Sequence, residues 1–136
     1  MDCIFCKIAK GEIKARVVSE SAKSIAFLDA FPLTRGHTLV IPKNHYGKIQ
    51  HILPEDSIDL FSLVYKLIPK IDGIAGSTLI AIHNGKDAGQ EVPHVHVHLI
   101  PRSVSDGAGP VHSMFKNRPK FSDAEFDEVL SKLQTS

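Results

Sequence analysis

The segment His94-Val95-His96-Val97-His98-Leu99-Ile100 alternates histidine with apolar side chains. In an extended strand, successive side chains point to opposite faces, so the pattern predicts a strand with imidazoles on one face and core residues on the other. Imidazole suits proton transfer, nucleophilic attack or metal ligation near neutral pH. Three histidines in strict alternation therefore indicate a functional site rather than ordinary surface or core residues.

One metal ion does not account for the whole histidine row. At about 3.3 Å per residue, the Cα atoms of His94 and His98 lie roughly 13 Å apart in a strand, whereas nitrogen ligands lie about 2 Å from zinc. At least one of the three histidines must have another role. Two neighbouring histidines could still share a metal with a further ligand, and that alternative stays open here.

The loop that precedes the row is rich in glycine. Gly85 and Gly89 permit backbone conformations in which N–H groups converge on an anion, and the side-chain amides of Asn84 and Gln90 add donors. Together with the histidine row, the loop suggests phosphoryl or nucleotidyl transfer with imidazole as nucleophile. The P-loop motif and the dinucleotide-binding fingerprint do not occur in the chain.

The remaining pattern mixes strands and helices, which predicts an α+β fold. Further strands are predicted over residues 16–20, 24–29, 38–41 and 78–83, the first two as a hairpin. A main helix begins near Pro54 and is expected to bend or end at Pro69, and Ser122 opens a short amphipathic C-terminal helix. We expect a single domain over 1–136, with a core over 1–102 and a C-terminal loop and helix over 103–136.

Composition excludes several classes of protein. The 136 residues include 16 Lys+Arg and 15 Asp+Glu, a formal charge of +1 that counts eight histidines as neutral, so a strongly basic surface for nucleic acid is not expected. The chain shows neither a basic and apolar leader at its start nor an apolar run near the ~18 residues of a membrane span. The expectation is a cytoplasmic protein that binds neither membrane nor nucleic acid.

Two cysteines, Cys3 and Cys6, form a CxxC pair at the start of the sequence. Three interpretations are open: a redox dithiol, two incidental or buried cysteines, or half of a zinc site. Tetrahedral zinc needs two more nitrogen or sulfur ligands, and the sequence offers His45 and His94.

The segment from Gln90 to Arg102 resembles the signature of the histidine triad (HIT) nucleotide-binding family: His, apolar, His, apolar, His and two apolar residues. Similar segments follow the family's order over roughly the first hundred residues, namely residues 4–8, 26–29, 36–43 and 84–90. The resemblance implies a HIT-like α+β fold with an antiparallel sheet, one main helix and usually a homodimer.

The resemblance also implies a role for each matching residue. His96 is the expected nucleophile, which attacks the α-phosphorus of a purine nucleotide or nucleotide conjugate, forms a nucleotidyl-histidine and releases a nucleoside monophosphate. His98 is expected at the phosphate and His37 as its support. Phosphate oxygens are assigned to Asn84, Gln90 and the backbone around Glu91 and Val92. The ribose is assigned to Asp29, and the base to Ile4, Phe5, Ile8 and Phe27.

In a zinc-bearing branch of the family, the ligands match Cys3, Cys6, His45 and His94. All four positions are protein, so the zinc is expected to be structural. His51, His83 and His112 receive no role. Glu91 departs from the small hydroxyl residue that the family often has, and the chain has no tryptophan, which leaves residues 106–114 unmatched.

The leading hypothesis is a nucleotide hydrolase or transferase. Its alternatives are a zinc-stabilised nucleotide-binding module with a regulatory role and, more distantly, a metalloenzyme that uses two triad histidines.

Overall fold

A five-stranded sheet forms the centre of the computed structural model, which describes residues 2–135. Its strands are β1 (Val17–Glu20), β2 (Ser24–Leu28), β3 (Thr38–Pro42), β4 (Ser77–Ala81) and β5 (Val97–Arg102). Their order is β1-β2-β3-β5-β4, and every neighbouring pair is antiparallel. This confirms the α+β prediction, including the hairpin of β1 and β2.

The described residues also form three α-helices, α1 (Ile4–Ala9), α2 (Pro54–Ala75) and α3 (Asp123–Gln134), and three short 3-10 helices at Ile49–His51, Lys86–Ala88 and Val111–Met114. The sequence did not indicate α1, whose first turn is capped by the sulfur of Cys3. The capping box that opens α3 is confirmed, since Ser122 and Glu125 bond each other's backbone N–H. None of the helices in residues 2–135 combines the length and the hydropathy needed to cross a membrane.

Of the two outcomes expected at Pro69, a bend or an end of α2, the end is wrong, because the helix continues through Pro69 to Ala75. Proline removes one backbone hydrogen bond, here to the carbonyl of Tyr65, whose side chain is exposed. On its other side the helix buries leucine, valine and isoleucine against the sheet, so packing outweighs the loss of one hydrogen bond.

The chain divides into two compact units, one through Asp106 and one from Gly107 onward. The first contains the sheet, α1 and α2. The second contains α3, whose apolar side chains are exposed. A single domain over 1–136 remains a prediction.

Two apolar layers cover opposite faces of the sheet, as the alternation of side chains requires. Toward α2 the sheet presents Ala26, Val40, Val97 and Leu99, which pack with the apolar side of that helix. The opposite face presents Ile25, Phe27, Leu39 and Ile41, which pack with Phe5 of α1. His98 pairs with Leu39 across β3 and β5, and this register places it on the α1 face of the sheet.

The predicted histidine strand is shorter than expected. β5 begins at Val97, so His94 and His96 precede it. The N–H of His94 donates to the carbonyl of Val92 at 2.8 Å, a local turn that a regular strand would not make. The apolar side of the row is nevertheless core, because Val95, like Val97, is buried in the α2 layer.

A buried carboxylate fastens α2 to the loop that follows β3. Asp56 is 2% exposed and accepts hydrogen bonds from the hydroxyl of Tyr46 at 2.6 Å and the amide of Asn44 at 2.9 Å. The ammonium of Lys23 lies 3.2 Å from its other oxygen. Because Asn44 and Tyr46 flank His45, this network fixes the segment that carries His45.

Replacing Asp56 with alanine is expected to lower the free energy of unfolding by about 2 kcal/mol, because the hydroxyl of half-buried Tyr46 and the amide of exposed Asn44 lose the buried carboxylate that accepts from them. Glu55→Ala is the matched control. It removes the same charge from the same helix end at an exposed position, and it should cost no more than about 0.5 kcal/mol. Urea unfolding of both variants measures the difference, and equal effects would contradict the structural role of Asp56.

Candidate active site and metal cluster

Two cysteines and two histidines converge next to α1. The Sγ atom of Cys3 lies 3.5 Å from Nδ1 of His94, and Sγ of Cys6 lies 3.3 Å from Nδ1 of His45 and 3.5 Å from Nδ1 of His94. All four donor atoms lie within 4.8 Å of one another. In a tetrahedral site with metal–ligand bonds of about 2.0–2.3 Å, donor atoms lie roughly 3.3–3.8 Å apart, so the spacing fits one ion.

The chemistry of the donors fits a metal as well. Nε2–H of His94 donates to the carbonyl of Pro42 at 2.8 Å, which leaves the lone pair on Nδ1 facing the two sulfurs. Burial and the neighbouring Cys3 raise the pKa of the Cys6 thiol. Two thiolates at this place would therefore need a divalent cation to offset their negative charge. These residues form a possible Cys/His metal-binding cluster with all four positions supplied by protein.

A cavity of about 520 Å³ opens beside this cluster, on the α1 face of the sheet. Its walls bring together ten of the residues that the resemblance assigns to nucleotide binding: Ile4, Phe5, Ile8, Phe27, Asp29, His37, Glu91, Val92, His96 and His98. One part of the wall is therefore apolar, and another part carries imidazoles and backbone amides.

His96 presents a free ring nitrogen to this cavity. Its Nδ1–H donates to the carbonyl of His94 at 2.8 Å, so the lone pair resides on Nε2. Burial lowers the pKa of His96, and the nearby His83 adds to the decrease, so the ring is neutral at pH 7. The ring of Phe5 packs edge-on against it, with centroids 5.1 Å apart. A neutral ring with a free lone pair is the state that a nucleophilic imidazole requires.

A chain of hydrogen bonds fixes the tautomers of the next two histidines. The N–H of Leu33 donates to Nδ1 of His37 at 3.0 Å, so the proton of neutral His37 is on Nε2. That Nε2–H donates to Nδ1 of His98 at 3.0 Å, which places the proton of His98 on its Nε2. Nε2 of His98 is buried without a protein partner among the described residues, so it is a donor left for a ligand.

Asp29, His37 and His98 form a second group of donor atoms within 4.8 Å of one another. A metal there would need the lone pair of His37 Nε2, but that nitrogen carries the proton, because Nδ1 accepts from Leu33. The short contact between His37 and His98 is therefore a hydrogen bond that positions His98. A metal held by His94 and His96 is also excluded, because Nδ1 of His94 faces the sulfurs whereas Nε2 of His96 faces the cavity.

Acid is expected to destabilise the fold through His98. Burial lowers the pKa of His98 to about 4, below the ~6.5 of an unfolded histidine, so the unfolded state binds more protons between these values. Stability is therefore lost as pH falls below about 6.5. From pH 6.5 to 5.0 the loss due to His98 should be about 1.5 kcal/mol.

The variant His98→Asn isolates this contribution, because the Cys/His cluster is unchanged in it. Urea unfolding of both proteins at several pH values should show a shallower acid dependence for the variant. Parallel curves would contradict the buried neutral state of His98.

Asn84 and Gln90 are expected at the phosphate, but in the structure neither side chain faces the cavity. The side chain of Asn84 accepts from the N–H of Ile49 at 2.9 Å and donates to Gln50 at 3.1 Å. The side chain of Gln90 accepts from the N–H of Gly85 and donates to two backbone carbonyls. Both amides brace the loop, and neither residue is among those that line the cavity.

His83, which had no expected role, lies in the cavity wall instead. Ala81 pairs with His98, and two residues further along the chain His83 returns to the same face, with its ring 5.3 Å from that of His98. Gly89 lies beside this ring, and its φ of +103° is the reason that glycine is favoured there, because an added Cβ would meet the His83 ring only at an ordinary contact distance of 3.4 Å. The alternation of Leu79, Ala81 and His83 in the sequence could have indicated this position.

Comparison with known proteins agrees with the motif and the geometry. The model of the HIT domain matches residues 10–104. The adenosine 5'-monophosphoramidase of Schizosaccharomyces pombe is 38% identical and is matched over 98% of this chain and 100% of its own length. The adenylylsulfatase of Arabidopsis thaliana is 34% identical, over 96% of this chain and 66% of its own length.

The solved structures agree with the sequence matches. The crystal structure of a HIT family member from Bacillus subtilis superposes with a TM-score of 0.86 at 34% identity, and the match covers 98% of this chain and 95% of that one. By its histidine motif, its fold and these relatives, the chain belongs to the HIT family of nucleotide-binding hydrolases.

Proposed function

We propose that the protein hydrolyses nucleotide conjugates at the α-phosphorus through a nucleotidyl-histidine on His96 and releases a nucleoside monophosphate. The observation that carries the proposal is the neutral, buried ring of His96, whose Nε2 lone pair faces a cavity with an apolar pocket. Substrates of this type are purine nucleoside phosphoramidates or dinucleoside polyphosphates. The first type is supported by the fission yeast relative, which is an adenosine 5'-monophosphoramidase.

Hydrolysis of a phosphoramidate takes two steps. Nε2 of His96 bonds to phosphorus while the phosphorus–nitrogen bond breaks, and the amine leaves after gaining one proton. Water then attacks phosphorus, the bond to His96 breaks, and the proton from water replaces the one consumed in the first step. The Nδ1–H bond to the His94 carbonyl holds the ring in the attacking tautomer throughout.

Donors in the cavity wall can stabilise the charge that develops on the phosphoryl oxygens. Nε2–H of His98 has no acceptor among residues 2–135. The backbone N–H groups of Glu91 and Val92 donate to no acceptor among the described residues, and both residues line the cavity. Fixed donors of this kind act without reorganisation in the transition state.

The nucleoside would occupy the apolar part of the cavity. Phe5 and Phe27 are buried with their ring centroids 5.7 Å apart, and Ile4 and Ile8 extend the same wall. These side chains suit a planar purine, and the carboxylate of half-buried Asp29 suits ribose hydroxyls.

We also propose that the metal is zinc and that it is structural. Zinc prefers cysteine sulfur and histidine nitrogen in tetrahedral sites, and four protein ligands leave no position for a reacting group. The cluster ties α1 to the segments that carry His45 and His94. Since α1 carries Phe5, the metal would hold the nucleoside pocket in place.

A homodimer is the assembly we propose. Phe126, Val129, Leu130 and Leu133 of α3 are between 52% and 79% exposed, which is typical of a surface that a second copy covers. Light scattering should give twice the 14.9 kDa of one chain. Leu130→Glu should shift the mass toward the monomer, whereas Gln134→Glu, a charge added on the same helix, should not. A monomeric wild type would contradict the proposal.

The alternative is a nucleotide-binding module without turnover. A panel of phosphoramidates, dinucleoside polyphosphates, nucleotide sugars and adenylylated adducts distinguishes the two. Release of a nucleoside monophosphate from at least one class, lost in His96→Ala, supports the hydrolase. Binding without product release across the panel would favour the module.

A further inference from the structure

Glu91 lies where two cavities meet. It lines the cavity that contains His96 and His98, and it also lines a second cavity of about 670 Å³ formed by Lys86, Gly89, Gln90, Glu91 and Pro93. The second cavity is built from this loop alone, without α1 or β2, which form the nucleoside pocket. A substituent on phosphorus that points away from the ribose would therefore enter the space bordered by Glu91.

The carboxylate of Glu91 is a charge without a partner. It makes no hydrogen bond or ion pair with any described residue. Its electrostatic influence reaches His96, where it opposes the larger decrease in pKa that burial causes. Lys86, the other charged residue of the second cavity, forms no ion pair with it and does not line the first.

An unpaired carboxylate next to a phosphate has an energetic consequence. It repels the phosphate of any nucleotide, and a negative charge on the leaving group adds to this repulsion. A cationic group on the leaving group would lie between the two negative charges and be attracted by both. The other charges of the main cavity, Lys14, Arg16 and Asp29, are supplied by segments outside the loop from Lys86 to Pro93.

We propose that Glu91 is a specificity residue that favours leaving groups with a positive charge close to the scissile bond, such as diamine conjugates of a nucleoside monophosphate. Neutral amines are poorer leaving groups for this site, and anionic ones are poorer still. The inference rests on the proposed hydrolysis at the α-phosphorus, and it narrows the substrate class to cationic phosphoramidates.

The test compares three phosphoramidates of the same nucleoside. Their leaving amines have similar length: 1,4-diaminobutane, which ends in an ammonium; n-pentylamine, which has a methyl group in its place; and 4-aminobutanoate, which ends in a carboxylate. The value of kcat/KM is measured for each with wild type, with Glu91→Gln and with Lys86→Gln as the charge control.

The decisive quantity is the ratio of kcat/KM for the diaminobutane conjugate to that for the pentylamine conjugate. Intrinsic reactivity of the substrates is the same for every variant, so a change in this ratio isolates the side chain. Glu91→Gln should lower the ratio about two- to fivefold, as expected for an exposed ion pair, whereas Lys86→Gln should not lower it. Added salt should also lower the wild-type ratio.

The outcomes separate the two proposals. If the conjugates are hydrolysed but Glu91→Gln leaves the ratio unchanged, the specificity proposal is overturned while the hydrolase proposal stands. If wild type releases nucleoside monophosphate from none of the three, the proposed function itself fails.

Discussion

Replacing His96 with alanine is expected to lower kcat for a nucleoside phosphoramidate at least about a thousandfold, because the proposed nucleophile is removed. His98 cannot substitute for it, since its Nδ1 accepts from His37 and its Nε2 carries the proton. Steady-state release of the nucleoside monophosphate measures the loss.

Two controls separate a chemical role of His96 from a structural one. His96→Asn keeps a polar side chain at this 7% exposed position, and it should bind a non-hydrolysable nucleotide while remaining inactive. His51→Ala changes an exposed histidine outside the cavity and should retain wild-type turnover. Turnover by His96→Ala within tenfold of wild type would contradict the assignment of the nucleophile.

Removing the metal is expected to destabilise the protein by about 4 kcal/mol, if free zinc in the loaded sample exceeds its dissociation constant about a thousandfold. For a domain of this size that corresponds to a decrease in Tm on the order of 10–15 °C. The physical reason is that α1 is only six residues long, too short to be stable without the cluster that anchors it. Thermal unfolding with and without a chelator, under reducing conditions, measures the shift.

The variant Cys6→Ser provides the matched control. It removes one ligand, so its Tm should already be low and the chelator should lower it little further. Ser57→Ala, a change outside the cluster, should keep the full response to the chelator. A wild-type Tm that does not respond to metal removal would contradict the structural role of the cluster.

Much of the fold and of the site could be predicted because the pattern has a period of two. The alternation of His94, Val95, His96, Val97 and His98 predicts which side chains enter the core, and that division holds even where β5 has not yet begun. Through the family resemblance, the motif also predicts which segments line the cavity, although these lie far apart in the sequence.

The phosphate role expected for Asn84 stays a prediction, and the position of its side chain outside the cavity lining has a reason of register. In a strand, a shift of one residue moves a side chain to the other face. The loop appeared to begin at Asn84, but the pairing of Ala81 with His98 puts His83 on the cavity face and leaves Asn84 to brace the loop from Ile49 to Gln50. A glycine-rich loop has no apolar alternation from which the face of a side chain could be predicted. Only the pairing of β4 with β5 shows on which side Asn84 lies.

The tautomers could not be predicted from the sequence at all. They depend on which backbone group lies within hydrogen-bonding distance of each ring: the carbonyl of Pro42 for His94, that of His94 for His96, and the N–H of Leu33 for His37. These contacts support the proposal that His94 is a metal ligand and His96 the nucleophile, although the two histidines are chemically identical and only two residues apart.

The most direct test of the account is the mass of the protein during turnover. Wild-type protein is mixed with a nucleoside phosphoramidate, denatured rapidly at alkaline pH, where phosphorus–nitrogen bonds of histidine persist, and examined by intact mass and peptide mapping. We expect one added nucleoside monophosphate group per active site, located on His96, and no adduct in His96→Ala. Product release by wild type with no adduct, or with an adduct on another residue, would contradict it.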